Sequence, residues 1–288
     1  MLPTDPWPET VARARRLEQL GYSHLWTYDH LSWRRYRGKP WFNAIPWLTG
    51  LAGVTERVEL GTLVASPNFR HPVTLAHEAV TLDHVSNGRF VLGIGSGGVG
   101  FDSSVFGRES LRPAELVSRL DEFVEIVARL FAEDSVSYSG EHYTVHEAVV
   151  RPASVRVPRV PIALAASGPK SIALVARHAD AWITFGDPRP LAEQPPDRYE
   201  LVRTHAHMLD EACAAIGRDP SGVRRIYMTG ATEERPLASL ASFQDFAGNL
   251  DTLGFTDLVF HHPRRDDPVW TEPESIVDEI AASVGGGK

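Results

Sequence analysis

The chain of 288 residues has one cysteine, Cys213, so no disulfide can close within it and no cysteine pair exists for a zinc or iron–sulfur site. It also lacks a surplus of positive charge. Lys and Arg number 29 against 37 Asp and Glu, a formal net charge of −8. A protein whose main task is neutralising nucleic-acid phosphates needs clustered basic residues, so this balance argues against that class. Long apolar runs are missing as well. No segment approaches the about 18 apolar residues of a membrane helix, and the opening MLPTDPWPET has no basic stretch followed by an apolar run. Together these features predict a cytoplasmic protein in a reducing compartment. Three catalytic signatures are absent too: the phosphate-loop Gly-Lys-Ser/Thr, the Gly-x-Ser-x-Gly elbow and the His-Glu-x-x-His zinc helix. What is present is an ordinary globular composition, 43% hydrophobic and 23% charged, enough to bury a sizeable core. The length suits a single α/β barrel domain spanning 1–288, since such barrels run to about 250 residues plus insertions.

Periodicity alternates along the chain. Residues 8–21 carry Val11, Ala14, Leu17 and Leu20 at helical spacing with Gly21 as a stop signal, and HLWTYDH (24–30) follows as a β-rich run. Helices are expected at 46–55, 72–84 and 111–132, and strands at 57–64 and 89–98. Between 134 and 161 the pattern breaks into a hairpin or extended insertion marked by Tyr138, Gly140 and Tyr143. Strands resume at 161–165, 181–185, 224–228 and 257–261, separated by helices near 170–178, 196–216 and 237–253, with a last helix over 272–284. Strand alternating with helix predicts a parallel sheet with helices outside it. Seven strands are visible where a (β/α)₈ TIM barrel has eight. The missing one belongs before the first helix, where three prolines crowd the residues ahead of Glu9. Either the native start lies further upstream or the barrel has a gap there.

The segments LGYSHLWTYDH and LAGVTERVELGTLVASPNFRHPVTLAHEAVTLDHVSNGRFVLGIGSGG resemble the luciferase-like monooxygenase superfamily, especially its deazaflavin (coenzyme F420) branch. A weaker likeness is PIALAASGPKSIALVARHADAWI, at the family's cofactor-phosphate loop. The resemblance implies a (β/α)₈ barrel with an insertion between its fourth and fifth strands, where 134–161 falls. It implies F420 as cofactor, with FMN the alternative, and a small organic molecule as substrate. It also implies a homodimer, and a partner flavin reductase if FMN is used.

Several residues carry that expectation. His30, with Asp29, ends the second barrel strand at the mouth where barrel active sites are built, and imidazole suits proton transfer near neutral pH. The resemblance makes His30 the proton carrier beside the cofactor ring; otherwise the pair simply satisfies loop backbone. Leu63 and Val64 occupy the place of the family's non-prolyl cis peptide against the cofactor's central ring, or are ordinary strand residues. Gly95, Ser96, Gly97 and Gly98, with Gly93 before them, form either a cofactor wall or a plain turn. The sugar-phosphate-oxidising deazaflavin enzymes have glutamate where Gly98 stands, which speaks against their substrate. Ser167, Gly168, Pro169 and Lys170 open a helix after a strand, an arrangement that aims backbone N–H groups at an anion. Trp33 is the candidate substrate contact within an aromatic cluster of Trp33, Tyr36, Trp41, Phe42 and Trp47. His261 and His262 read as a second acid or as loop residues. Arg89, in the turn Asn87-Gly88-Arg89, reads as structural. His205 and His207 are spaced to fall on different helix faces, which disfavours a shared metal.

Overall fold

The computed structural model describes residues 1–33, 36–98, 100–107, 109–187, 193, 197, 199–229, 235–264, 267 and 269–285. They divide into two compact units, 1–18 with 23–165 and 19–22 with the chain from 166 onward.

The first unit carries α1 (Trp7–Gln19), β1 (His24–Thr27), α2 (Ala44–Ala52), β2 (Glu59–Thr62), α3 (Pro72–Ser86), β3 (Phe90–Ile94), a short α4 (Phe101–Ser104), α5 (Pro113–Ala132), β4 (Val136–Ser139), β5 (Thr144–Ala148) and β6 (Ile162–Ala165). Strands β1, β2, β3 and β6 lie side by side in that order, all parallel. Every residue of β3 is buried, as expected of a parallel strand covered on both faces. Helix α3 packs on it, and α5, whose stripe of Leu120, Phe123, Ile126, Val127 and Leu130 repeats at helical spacing and is buried, packs against α3. The 134–161 insertion is a hairpin, with β4 and β5 antiparallel. Glu122 of α5 fastens its turn by accepting N–H bonds from Glu141, His142 and Tyr143 at 2.8, 3.0 and 3.0 Å. Where the hairpin returns, the buried Asp83 accepts from Val155 and Arg156 N–H at 2.6 and 3.2 Å.

Arg89 has the structural role expected of it. It donates to the carbonyls of Ser86, Val58, Ala52 and Thr55 and to the Thr55 hydroxyl, all within 3.0 Å. Asn87 before it, at φ 55°, ends α3 in the left-handed conformation that Asn tolerates. Among the described residues no strand precedes α1. The Met1 amino group donates to Trp26 O at 2.7 Å, and Pro3 O accepts from Phe42 N at 2.8 Å.

The second unit carries α6 (Pro169–His178), β7 (Ala181–Thr184), α7 (Glu200–Ala215), β8 (Arg224–Met228), α8 (Leu240–Thr252), β9 (Asp257–Val259) and α9 (Ser275–Gly285). Strands β7, β8 and β9 are parallel. Its core is aromatic: Phe255 meets Trp182 and Tyr227 at 5.5 and 5.6 Å between ring centres, and Phe246 meets Tyr227 at 5.6 Å. Trp182 satisfies its one polar atom by donating to Ala166 O at 2.9 Å. The seven strands expected from the sequence are all present, β8 over the expected 224–228 and the other six shorter than their apolar runs. Among the described residues, α4 and a 3₁₀ turn at Pro220–Gly222 were not anticipated.

Candidate active site

Strand β1 stops pairing at Thr27, so Tyr28, Asp29 and His30 leave it as a short exit segment. Asp29 is turned inward. Its carboxylate is 1% exposed and accepts from Arg70 Nε and Nη2 at 2.6 and 2.8 Å. The same guanidinium reaches Glu78 at 2.8 Å and the Asn43 side chain at 3.1 Å, while Asn43 caps α2 through Ile45 N at 3.2 Å. Burial disfavours the Arg70 cation, yet the hydrogen-bonded Asp29, helped by Glu78, raises its pKa above the ordinary value. Burial likewise lifts Glu78 above the ordinary carboxylate range, against the pull of Arg70. The Asp29 side chain, expected at the cofactor, is thus engaged in the frame that joins β1 to α2 and α3.

His30 is held differently. Its Nδ1 is paired with Asp102 of α4, whose other oxygen accepts from Leu31 N and Ser32 N at 2.9 and 3.4 Å. Trp33 stacks on the imidazole with centres 6.3 Å apart and planes 17° apart, and Tyr36 stacks in turn on Trp33 at 5.9 Å and 15°. Trp41 closes the group 6.0 Å from His30. Its indole N–H is buried with no hydrogen-bond partner among the described residues. The expected cluster is therefore real and centred on His30, but Trp47 belongs to the buried face of α2 and Phe42 is exposed.

Past β2, the Leu63–Val64 peptide is cis, as the family resemblance implies. Leu63 N still bonds Thr27 O at 2.8 Å, and Ala65 returns to β3 through Gly93 O at 2.7 Å. This close return explains most of the glycines. A Cβ on Gly93 would meet the Thr62 carbonyl oxygen, and one on Gly95 would lie 2.6 Å from Val64 Cγ2. Gly97, at φ 72°, would press on Ser66 and on Asn68, 2.8 Å from Asn68 Cγ. Their smallness is demanded by the protein's own packing, so an approaching cofactor is not needed to explain them. Gly98 differs, with open space where its Cβ would be. It borders a cleft of about 420 Å³ that Asn68, Ser103, Arg119, His142 and Tyr143 help to line. One polar chain fixes that wall: Arg119 Nη2 donates to Asn68 Oδ1 at 2.6 Å and to Ser96 O at 3.2 Å, and Asn68 Nδ2 donates to Gly98 O at 3.0 Å.

In the second unit, Gly168 caps α6 and Pro169 is its first residue, with Ser167 and Lys170 exposed beside the helix N-terminus. Ser171, absent from the expected set, braces this turn by accepting from Gly168 N at 3.2 Å and donating to Gly168 O at 3.0 Å. His261 and His262 are buried loop residues, the first stacked on Trp270 at 4.6 Å, the second bonded to Pro263 O at 2.9 Å. His205 is buried and His207 is exposed against Glu211 at 3.3 Å, on the different faces their spacing predicts.

Sequence reasoning missed three charged residues that organise the first unit: Arg70, Asp102 and Arg119. Arg70 lies within the segment that carries the family resemblance, in SPNFRHP, whereas Asp102 and Arg119 lie beyond it; for Asp102 the available signal was a lone charge among small and apolar neighbours, in GFDSS.

Parallel strands alternating with helices, polar residues gathered where β1 and β3 end, and a hairpin before β6 define a luciferase-like (β/α) barrel protein. The family model for luciferase-like monooxygenase matches residues 1–287, and the chain belongs to that family. An F420-dependent glucose-6-phosphate dehydrogenase of Amycolatopsis mediterranei is 35% identical over 61% of this chain and 52% of its own length. Another so named, from Nakamurella multipartita, is 34% identical over 94% of this chain and 91% of its own. The chain thus spans about half the length of the former and nearly all of the latter. Among solved structures, the coenzyme F420-dependent tetrahydromethanopterin reductase of Methanopyrus kandleri covers the whole chain and 98% of itself at a TM-score of 0.75 and 16% identity, a likeness of fold.

Proposed function

We propose that the protein is an F420-dependent oxidoreductase that moves a hydride between the deazaflavin and a small organic molecule, with His30 carrying the accompanying proton. The observation that supports this most is the His30 imidazole at the β1 exit, one nitrogen held by a carboxylate and one face stacked on Trp33. That is how a proton-transfer group is oriented.

Three features fit a phosphate-bearing planar cofactor. Gly98 offers a side-chain-free wall, the buried Trp41 N–H is a donor without a partner among the described residues, and the α6 N-terminus presents backbone donors beside Lys170. When bound, the deazaflavin supplies the hydride donor or acceptor, chemistry that no side chain offers. In this reading Leu63, Val64, Gly95, Ser96, Gly97 and Gly98 back the ring, Ser167, Gly168, Pro169 and Lys170 hold phosphate, and Trp33 covers the substrate. Two relatives carrying F420-dependent names over this chain add support. We place the protein in the cytoplasm, where a free buried thiol such as Cys213 is at home, and expect the family's homodimer. No described helix is long and apolar enough to cross a membrane.

Titrating the protein with oxidised and reduced F420 and with FMN, followed by tryptophan fluorescence, tests the proposal. F420 should quench and FMN should not. FMN binding without an F420 response would point instead to a flavin monooxygenase served by a reductase, and a response to neither would point to a barrel without this chemistry.

A further inference from the structure

We infer that Asp102 is a positioning residue that fixes the tautomer of His30, so that Nε2 is the nitrogen that gives or takes the proton. The inference rests on the reading of His30 as proton carrier. No neighbour on β1 orients the imidazole, since His30 lies three residues beyond the last paired residue of the strand. Orientation comes from α4, the four-residue helix beyond the β3 glycines. Asp102 is 8% exposed and divides its carboxylate between two tasks. One oxygen takes the Leu31 and Ser32 N–H groups and sets the backbone after His30, while the other meets His30 Nδ1. The helix is itself tied to this loop a second time, by the Arg37 guanidinium lying 4.6 Å from the centre of the Phe101 ring.

A carboxylate accepts hydrogen bonds and has none to donate when ionised. The imidazole must therefore bring its hydrogen to Nδ1. That leaves Nε2 with the lone pair in the neutral ring and with the exchangeable proton in the cation, and no described residue hydrogen-bonds Nε2. Whichever way the hydride runs, the proton moves at Nε2, on the side of the ring away from the Asp102 carboxylate. Trp33, stacked on the ring, keeps it in this plane.

The alternative is that Asp102 merely fastens the loop through Leu31 and Ser32. Asp102→Asn separates the two. Its amide oxygen still accepts from both backbone N–H groups, but its NH₂ faces Nδ1, which must then accept and leave the hydrogen on Nε2. The full chain, labelled with ¹⁵N-histidine and assigned with His30→Gln, is measured by long-range ¹H–¹⁵N NMR at about pH 8, above the ordinary histidine value of about 6.5. Wild type should show the Nδ1–H form and Asp102→Asn the Nε2–H form. An Nε2–H form in the wild type overturns the inference without any variant, so a variant that fails to fold does not protect it. The same tautomer in both proteins overturns it as well. In turnover with F420, Asp102→Asn should lower kcat by about a hundredfold, the scale of general acid–base catalysis, with cofactor affinity within about twofold, and Asp102→Glu should restore part of the loss. Unchanged kcat despite an inverted tautomer overturns the role in turnover. Failure of F420 to bind either protein sinks the proposed function but leaves the tautomer result standing, so the two are told apart.

Discussion

At the scale of single residues, the first unit depends on a buried charge pair. Asp29 and Arg70 are both nearly inaccessible, with side chains 1% and 7% exposed, and the guanidinium also serves Asn43 and Glu78. Removing one member of such a pair strands the other without water or partner, which costs more than the intact pair contributes. Arg70→Met is therefore expected to lower unfolding stability by about 3–5 kcal/mol in urea denaturation, and a loss below about 1 kcal/mol would show that Asp29 has another partner. Arg70→Lys should fall between, because an ammonium cannot span both Asp29 oxygens. His30 was legible from its place at the end of a strand-like run. Asp102 and Arg70 were not, because their partners lie 72 and 41 positions away and no local pattern records pairing across strands.

At the scale of the element, β3 and its exit show why one glycine does not stand for another. The run GIGSGG looks like a uniform smooth wall, yet only Gly98 opens onto the cleft. Gly93→Ala would drive a methyl into the Thr62 carbonyl, a backbone atom of β2 that cannot swing aside. We expect a loss of about 3 kcal/mol or more, or no soluble protein. Gly98→Ala should melt within about 2 °C of wild type, because its methyl would enter open space; a drop in Tm as large as that of a buried-glycine variant would overturn this reading. The elements themselves were readable because hydrophobic period separates helix from strand even in single segments. Their ends were not: the apolar pattern runs on past the last ladder bond, so the 24–30 run keeps only four paired residues. Helix α4 escaped because four residues make too little pattern to detect.

At the scale of the whole molecule, two histidines link stability to pH. Burial lowers the pKa of His71, whose Nδ1 caps α3 by accepting from Val73 N at 3.3 Å. Burial also lowers that of His205 in α7, with Asp187 opposing it. Both favour the neutral ring in the folded state, so between their lowered values and the unfolded value of about 6.5 the unfolded chain binds more protons. Their contribution is present in full above about pH 6.5 and is lost as pH falls through the lowered values. Glu18, held down by the Val58, Arg57 and Glu56 amides despite its burial, acts only below its ordinary value of 4.5, so the windows separate. Melting temperature should fall between about pH 7 and pH 5.5, and His205→Gln should flatten that fall; an equal slope in the variant would remove His205 as a cause. The order of alternating strands and helices was legible across the full length, whereas the division of the chain into two compact units was not, since no change in composition marks residue 165. Finally, the lone thiol has a practical side. Cys213 is wholly buried in α7 and burial raises its pKa, so it is slow to form the reactive thiolate. A cysteine placed at Val157, 88% exposed, would be the only sulfur that a maleimide dye finds quickly, so the hairpin return can carry a fluorescent reporter with the native sequence otherwise untouched.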